Sequence, residues 1–114
     1  MSTIHVTARA TIHAGKLEDF KALAAKCVEL VCANEPGALE YSWYLNDAQT
    51  ECVVCETYKD SDAVLAHIAN VGKTLAALGE VADWTFEICG EPSAELAQAT
   101  AAMPLKVYRP LQGK

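Results

Sequence analysis

No run of glycine, serine, proline or like charges interrupts this chain. That absence excludes a disordered arm, and 52% hydrophobic against 21% charged residues is the balance of a globular protein. A length of 114 residues suffices for one buried core and is too short for two. Positive charge is also scarce. Nine Lys and Arg, scattered along the chain, face 15 Asp and Glu for a net charge of −6, so a phosphate backbone meets repulsion and nucleic acid is set aside as a partner. Nowhere do apolar residues approach the run of about 18 that a membrane helix needs. The opening "MSTIHVTARATIH" lacks both a basic and an apolar targeting segment. The expectation is a soluble, cytoplasmic protein with no membrane partner. Five cysteines, an odd number, suit a reducing compartment, where a leftover thiol is harmless. Absent too are a phosphate loop, a G-x-S-x-G elbow, a dinucleotide fingerprint and a His-rich metal set, so any chemistry must use few groups.

What is present is a clear alternation of periods. Ile4, Val6, Ala8, Ala10 and Ile12 fall on every second position, the mark of a strand with one buried face. After Gly15 the apolar spacing changes to three and four (Leu17, Phe20, Leu23, Ala24, Cys27, Leu30, Val31), which predicts an amphipathic helix from Lys16 to about Ala33. "NEPGA" ends it, because Pro36 disfavours helical geometry at Glu35 and Gly37 supplies a turn. Strands are predicted at Leu39–Leu45 and Cys52–Tyr58, paired through "NDAQT". Asp60 or Ser61 caps a second helix, with Gly72 as a kink and Gly79 as its stop, and Val81–Cys89 reads as a fourth strand. This order is the β-α-β-β-α-β pattern of an α+β, ferredoxin-like fold with an antiparallel sheet.

Residues 1–91 form the expected core domain and residues 92–114 an extension: a short helix from Ser93 to about Ala102, then a brief strand in "PLKVYRP". That strand has no evident slot in its own sheet and is expected to pack on a second subunit. The core strands carry Trp43, Val53, Val54, Trp84, Phe86 and Ile88 with little clean alternation, so the sheet face away from the helices is expected to be apolar and covered by a partner.

Cys52 and Cys55 have C-x-x-C spacing but lie three apart in a strand, so they point to opposite faces and cannot close on one ion or on each other. Cys27 and Cys32 stand roughly 140° apart around a helix. The four are read as buried, inert thiols, without a metal site. His67 sits at the edge of the apolar stripe of the second helix; one reading is a boundary histidine with one wet nitrogen, the other a group reaching a cavity between helix and sheet. His5 and His13 are expected in solvated or interface positions. Glu56 lies within an apolar strand, on the same parity as Cys52, Val54 and Tyr58. It is either the structural ion-pair partner of Arg9 or Lys59, or a general base with a raised pKa. Tyr41, Trp43, Tyr44 and Trp84 supply aromatic surface, as ordinary core or as the wall of a planar ligand's pocket.

Taken together, "EPGALEYSWYLN" and "ECVVCETYKDSDAVLAH", followed by a second helix and closing strand, resemble the antibiotic biosynthesis monooxygenase (ABM) family of dimeric α/β barrels. The positions that carry the resemblance are Glu35, Pro36 and Gly37, then Glu56 and Tyr58, then His67, within a span from about Thr3 to Cys89. It implies a homodimer with sheets packed face to face, and a pocket between each sheet and its helices. It also implies oxidation of a quinol or polycyclic phenol by molecular oxygen without metal, flavin or other cofactor. His67 and Glu56 are then the expected catalytic residues, with Trp43, Tyr44, Tyr58 and Trp84 binding substrate. Where many members carry a second histidine this chain has Val71 and Gly72. Where heme-degrading relatives have an asparagine on the first strand and a tryptophan and a histidine on the second helix, this chain has Ala8, His67 and about Ala76, so heme degradation is not expected. The alternative function is that of an isomerase, or of a binding barrel without turnover, on the same scaffold.

Overall fold

A computed structural model describes residues 3–114. The elements run β1 (Ile4–Ile12), α1 (Leu17–Asn34), β2 (Ala38–Leu45), β3 (Glu51–Tyr58), α2 (Ser61–Val81), β4 (Ala82–Cys89), α3 (Ala94–Ala99) and β5 (Leu105–Tyr108). The core is the ferredoxin-like α+β arrangement expected from the periodicities. Its sheet has the order β2-β3-β1-β4-β5, antiparallel throughout except that β5 runs parallel to β4.

Two ends of α2 show how local sequence sets the elements. The Asp60 carboxylate accepts from the Ala63 N–H at 2.8 Å, filling one of the orphan donors of the first turn. At the other end the helix runs through both Gly72 and Gly79 to Val81, so Gly79 is not its stop; tertiary packing of Leu78 and Val81 outweighs a local cost of about 1 kcal/mol per glycine. α3 is shorter than expected: it closes at Ala99, where the Thr100 hydroxyl donates back to the Leu96 carbonyl at 2.9 Å.

Strand register decides which side chains meet. One row crosses the whole sheet: Trp43 beside Val54, Val54 beside Ala8, Ala8 beside Phe86, Phe86 beside Leu105. The next runs Tyr41, Glu56, Val6, Ile88 and Val107. Because successive residues alternate sides, these rows share a face with the buried Ile4 and Tyr58, and α1 and α2 cover it. Phe20 of α1 is buried there, its ring 6.0 Å from Trp43 and 5.9 Å from Trp84, a burial that stabilises by roughly 1.5–3 kcal/mol.

The same register corrects the expectation of an apolar second face. Trp43, Val54, Trp84, Phe86 and Ile88 all lie under the helices, and of that set Val53 alone points away. The open face carries polar pairs instead: Arg9 with Glu87 at 3.2 Å, His5 with Thr57 at 3.2 Å, and the Thr57 hydroxyl donating to Glu40 at 3.2 Å. A second correction concerns the extension. β5 does have a slot in its own sheet, pairing Phe86 through Cys89 of β4 with Leu105 through Tyr108. Leu96 of α3 is fully buried in the cluster of Ile4, Val64 and Ile88.

Candidate active site

The turn after α1 delivers the first site residue. Glu35 N–H donates to the Val31 carbonyl at 3.0 Å, and Lys59 N–H donates to the Gly37 carbonyl at 3.0 Å, tying the Glu35-Pro36-Gly37 turn to the start of α2. A Cβ at Gly37 would stand 2.8 Å from Ala63 Cβ, so only glycine permits this approach. The consequence is that Glu35 reaches a residue 32 positions away. Its two carboxylate oxygens lie 3.0 and 3.1 Å from His67 Nδ1, and Asn70 Nδ2 donates to Oε2 at 2.7 Å and to the Leu30 carbonyl at 3.0 Å.

A carboxylate can only accept, so the hydrogen-bond network assigns the proton to His67 Nδ1 and leaves the Nε2 lone pair pointing toward β3. There it faces Glu56 Oε1 at 3.7 Å, too far for a hydrogen bond and close enough for charge to matter. Glu56 Oε1 accepts from the Tyr58 hydroxyl at 2.5 Å. Tyr41 and Tyr58 hold the imidazole between them, with ring centroids 5.1 and 5.2 Å from it.

Burial sets the protonation states. His67 is 6% exposed, and burial lowers its pKa while the Glu35 carboxylate works to raise it. Burial pushes the Glu56 carboxyl up to about 7; the Tyr58 hydrogen bond opposes this and the Glu35 charge adds to it. The Tyr41 and Tyr58 phenols are raised by the same burial and stay protonated. Near neutrality the site therefore offers a neutral imidazole with a free lone pair beside a carboxyl that exchanges its proton readily. Such a pair can take a proton from a ligand and return one.

His67, Glu56 and Tyr41 line a cavity between the sheet and α2, with a volume of about 50 Å³ inside about 550 Å³ of atom-free space that includes its mouth. Ala8 floors it, Trp43, Trp84 and Phe86 wall it, and Thr100, Met103 and Leu105 of the extension close its far side. Trp84 and Phe86 are stacked at 7°, a flat apolar wall. Trp84 Nε1 donates to the Leu78 carbonyl at 3.2 Å, whereas Trp43 Nε1 is buried without a hydrogen-bond partner.

Of the residues singled out from sequence, His67, Glu56, Tyr41, Trp43 and Trp84 meet at this cavity. Tyr58 is fully buried behind it and acts on Glu56. Tyr44 does not belong to it: odd parity with Trp43 puts it on the open face, 56% exposed. Neither Arg9 nor Lys59 pairs with Glu56, since Arg9 lies on the opposite face with Glu87. The boundary reading of His67 is also corrected, because both ring nitrogens face carboxylates in the interior. Cys52 and Cys55 point to opposite faces as expected, and Cys27 and Cys52 are buried with thiols pushed up to about 11, but Cys32 is exposed. Among the described residues no group of three His, Cys, Asp or Glu could hold a metal ion. Sequence reasoning missed Glu35 and Asn70 as functional groups. The available signal was Glu35 immediately before Pro-Gly, which carried part of the family resemblance and was given no chemical role.

Comparison with known proteins agrees with this architecture. A model of the antibiotic biosynthesis monooxygenase family matches residues 3–71. MupZ from Pseudomonas fluorescens is 26% identical and superposes with a TM-score of 0.88 over 100% of this chain and 94% of its own. SnoaB from Streptomyces nogalater, a cofactor-independent oxygenase, is 18% identical and shares the fold with a TM-score of 0.69 over 82% of this chain and 97% of its own. Rv0793 from Mycobacterium tuberculosis, 22% identical, does so with a TM-score of 0.65 over 75% and 92%. No curated protein matches the chain.

Proposed function

This chain belongs to the antibiotic biosynthesis monooxygenase family, and from that premise we propose that it oxidises a quinol or polycyclic phenol with molecular oxygen, using no metal or flavin. The observation that carries the proposal is His67 at the cavity, its Nδ1–H clamped by Glu35 and its Nε2 free. His67 takes the phenolic proton. The phenolate, held between aromatic walls away from water, gives one electron to oxygen, and the resulting radical and superoxide combine at a ring carbon. The peroxide then loses water: its O–O bond breaks, the ring carbon's hydrogen leaves as a proton, and a quinone forms. One oxygen atom enters the product and the other leaves as water, so phenol and oxygen balance quinone and water. Glu56, exchanging its proton near neutrality, supplies the acid that the peroxide step requires. Trp43 gives its indole ring to the cavity wall, a flat apolar surface against which a planar substrate would pack.

Two copies with their open faces apposed, in the cytoplasm, are the assembly that this reading includes. No helix of the described residues is long and apolar enough to cross a membrane. Tyr108, on the open face beside Cys89, and Leu111 of the extension are exposed, and they are part of the surface a second copy would cover. Deleting Pro92–Lys114 is then expected to shift sedimentation toward monomer or aggregate.

Oxygen consumption with a panel of quinols tests the activity. Uptake by the native protein, lost by at least about 100-fold in His67→Ala, is expected. No uptake across the panel, or unchanged uptake in the variant, would refute the mechanism. The paired His67 and Glu56 also favour a second reading, proton transfer within a substrate by an isomerase. Its signature is exchange of a substrate C–H in heavy water without oxygen uptake.

A further inference from the structure

Met103 stands where three hollows meet. It lines the acid–base cavity, an outer groove along α2 bounded by Gly72, Gly79 and Pro104, and a third depression over β4 and β5. The first two share Leu75, Trp84 and Phe86 as well, so they adjoin, with Met103 among the few side chains that stand between them. Across the groove α2 presents no bulk: a Cβ at Gly72 or Gly79 would meet nothing within 4 Å. Glycine within a helix costs about 0.5–1 kcal/mol relative to alanine, and here neither position needs it for packing.

The backbone on either side of Met103 is pinned. Its own N–H donates to the Thr100 carbonyl at 3.0 Å, and the Pro104 carbonyl accepts from Phe86 N–H at 3.0 Å. What can move is the side chain, an unbranched thioether with three rotatable bonds facing the rigid stack of Trp84 and Phe86. We propose that Met103 is the specificity-determining residue of the passage from the α2 groove into the acid–base cavity, setting how wide a planar aromatic ligand can enter. The ligand slides between the glycine face of α2 and the methionine, protonatable end first, and its flat body comes to lie against Trp84 and Phe86. This deepens the reading of the cavity as the reaction chamber and rests on it.

The test uses the full-length protein without oxygen, so that binding is read apart from turnover. Two flat phenols serve as probes, the two-ring 1-naphthol and the wider four-ring 1-hydroxypyrene. Quenching of the protein's two tryptophans, Trp43 and Trp84, both of which line the cavity, reports occupancy. Native protein is expected to bind 1-naphthol and to discriminate against 1-hydroxypyrene. Met103→Ala is expected to tighten 1-hydroxypyrene by roughly tenfold or more while moving 1-naphthol far less, and Met103→Trp to weaken both. Gly72→Leu gives a second arm that needs no change in the extension: melting temperature held or raised, association of 1-naphthol slowed about tenfold. An unchanged ratio of the two affinities in Met103→Ala overturns the proposal, as does a native protein that binds neither probe. Selective binding in a protein that consumes no oxygen leaves Met103 in this role and refutes the oxygenase reading alone.

Discussion

His13 and His67 each stand about one hydrogen bond from a carboxylate, His13 at 2.9 Å from Asp83 and His67 at 3.0 Å from Glu35. The distances are alike and the surroundings are not. The His13 and Asp83 side chains are 40% and 83% exposed; those of His67 and Glu35 are 7% and 3% exposed. Water competes for every charge in the first pair, and such exposed pairs contribute about 0–1 kcal/mol. In the second, the carboxylate is satisfied by Asn70 and the ring is wedged between phenols, so the proton on Nδ1 has nowhere else to go. Burial, more than the pairing itself, turns a histidine into a positioned base.

The harshest way to break this contrast is to remove the buried acceptor. Glu35→Ala strands the neutral imidazole N–H in the interior, and a loss of about 1–3 kcal/mol is expected in urea unfolding, with oxygen consumption falling alongside. Glu35→Gln keeps an acceptor and should lose less stability while still lowering turnover, since it no longer enforces the Nδ1 tautomer.

Comparable in size are opposed pH dependences within the buried site. Burial holds the folded His67 pKa below its ordinary 6.5, so its stabilising contribution is present above that value and is lost as acid charges the ring. Glu56 runs the other way: its folded pKa of about 7 lies above the ordinary 4.5, so its contribution is full below 4.5 and is lost as pH rises to about 7. In the native protein the two slopes partly cancel between those limits. Glu56→Gln, which keeps an oxygen for Tyr58, should expose the loss on acidification. His67→Gln should expose the loss on raising pH, of order 3 kcal/mol from pH 4.5 to 7 in urea-unfolding midpoints. The smallest effect belongs to the exposed pair, where Asp83→Asn should change stability by less than about 0.5 kcal/mol and leave turnover untouched.

Much of this arrangement was legible because it is local. Alternation in β3 puts Glu56 and Tyr58 on one face, and the three-and-four spacing of α2 puts His67 beside that face; both follow from the repeat of a single element. What was not legible depends on register between elements. Val53 and Val54 are adjacent and cannot share a side, yet only the pairing of Val54 with Trp43 and Ala8 tells which of them joins the aromatics. Glu35 looks like turn punctuation until Gly37 seats against Ala63, an approach set by packing across 26 residues of sequence. The slot of β5 likewise exists only because the outer edge of β4 lies free.

Ala8 occupies the middle of the central strand, 2% exposed, with Val54 and Phe86 as its lateral neighbours. A branched residue there would satisfy the strand's preferences better and would fill the chamber. The hollow is thus made by subtraction, from a methyl group where the fold would accept an isopropyl. Chains that differ at this one position could share every helix and strand and yet divide into those that admit a guest and those that are solid throughout.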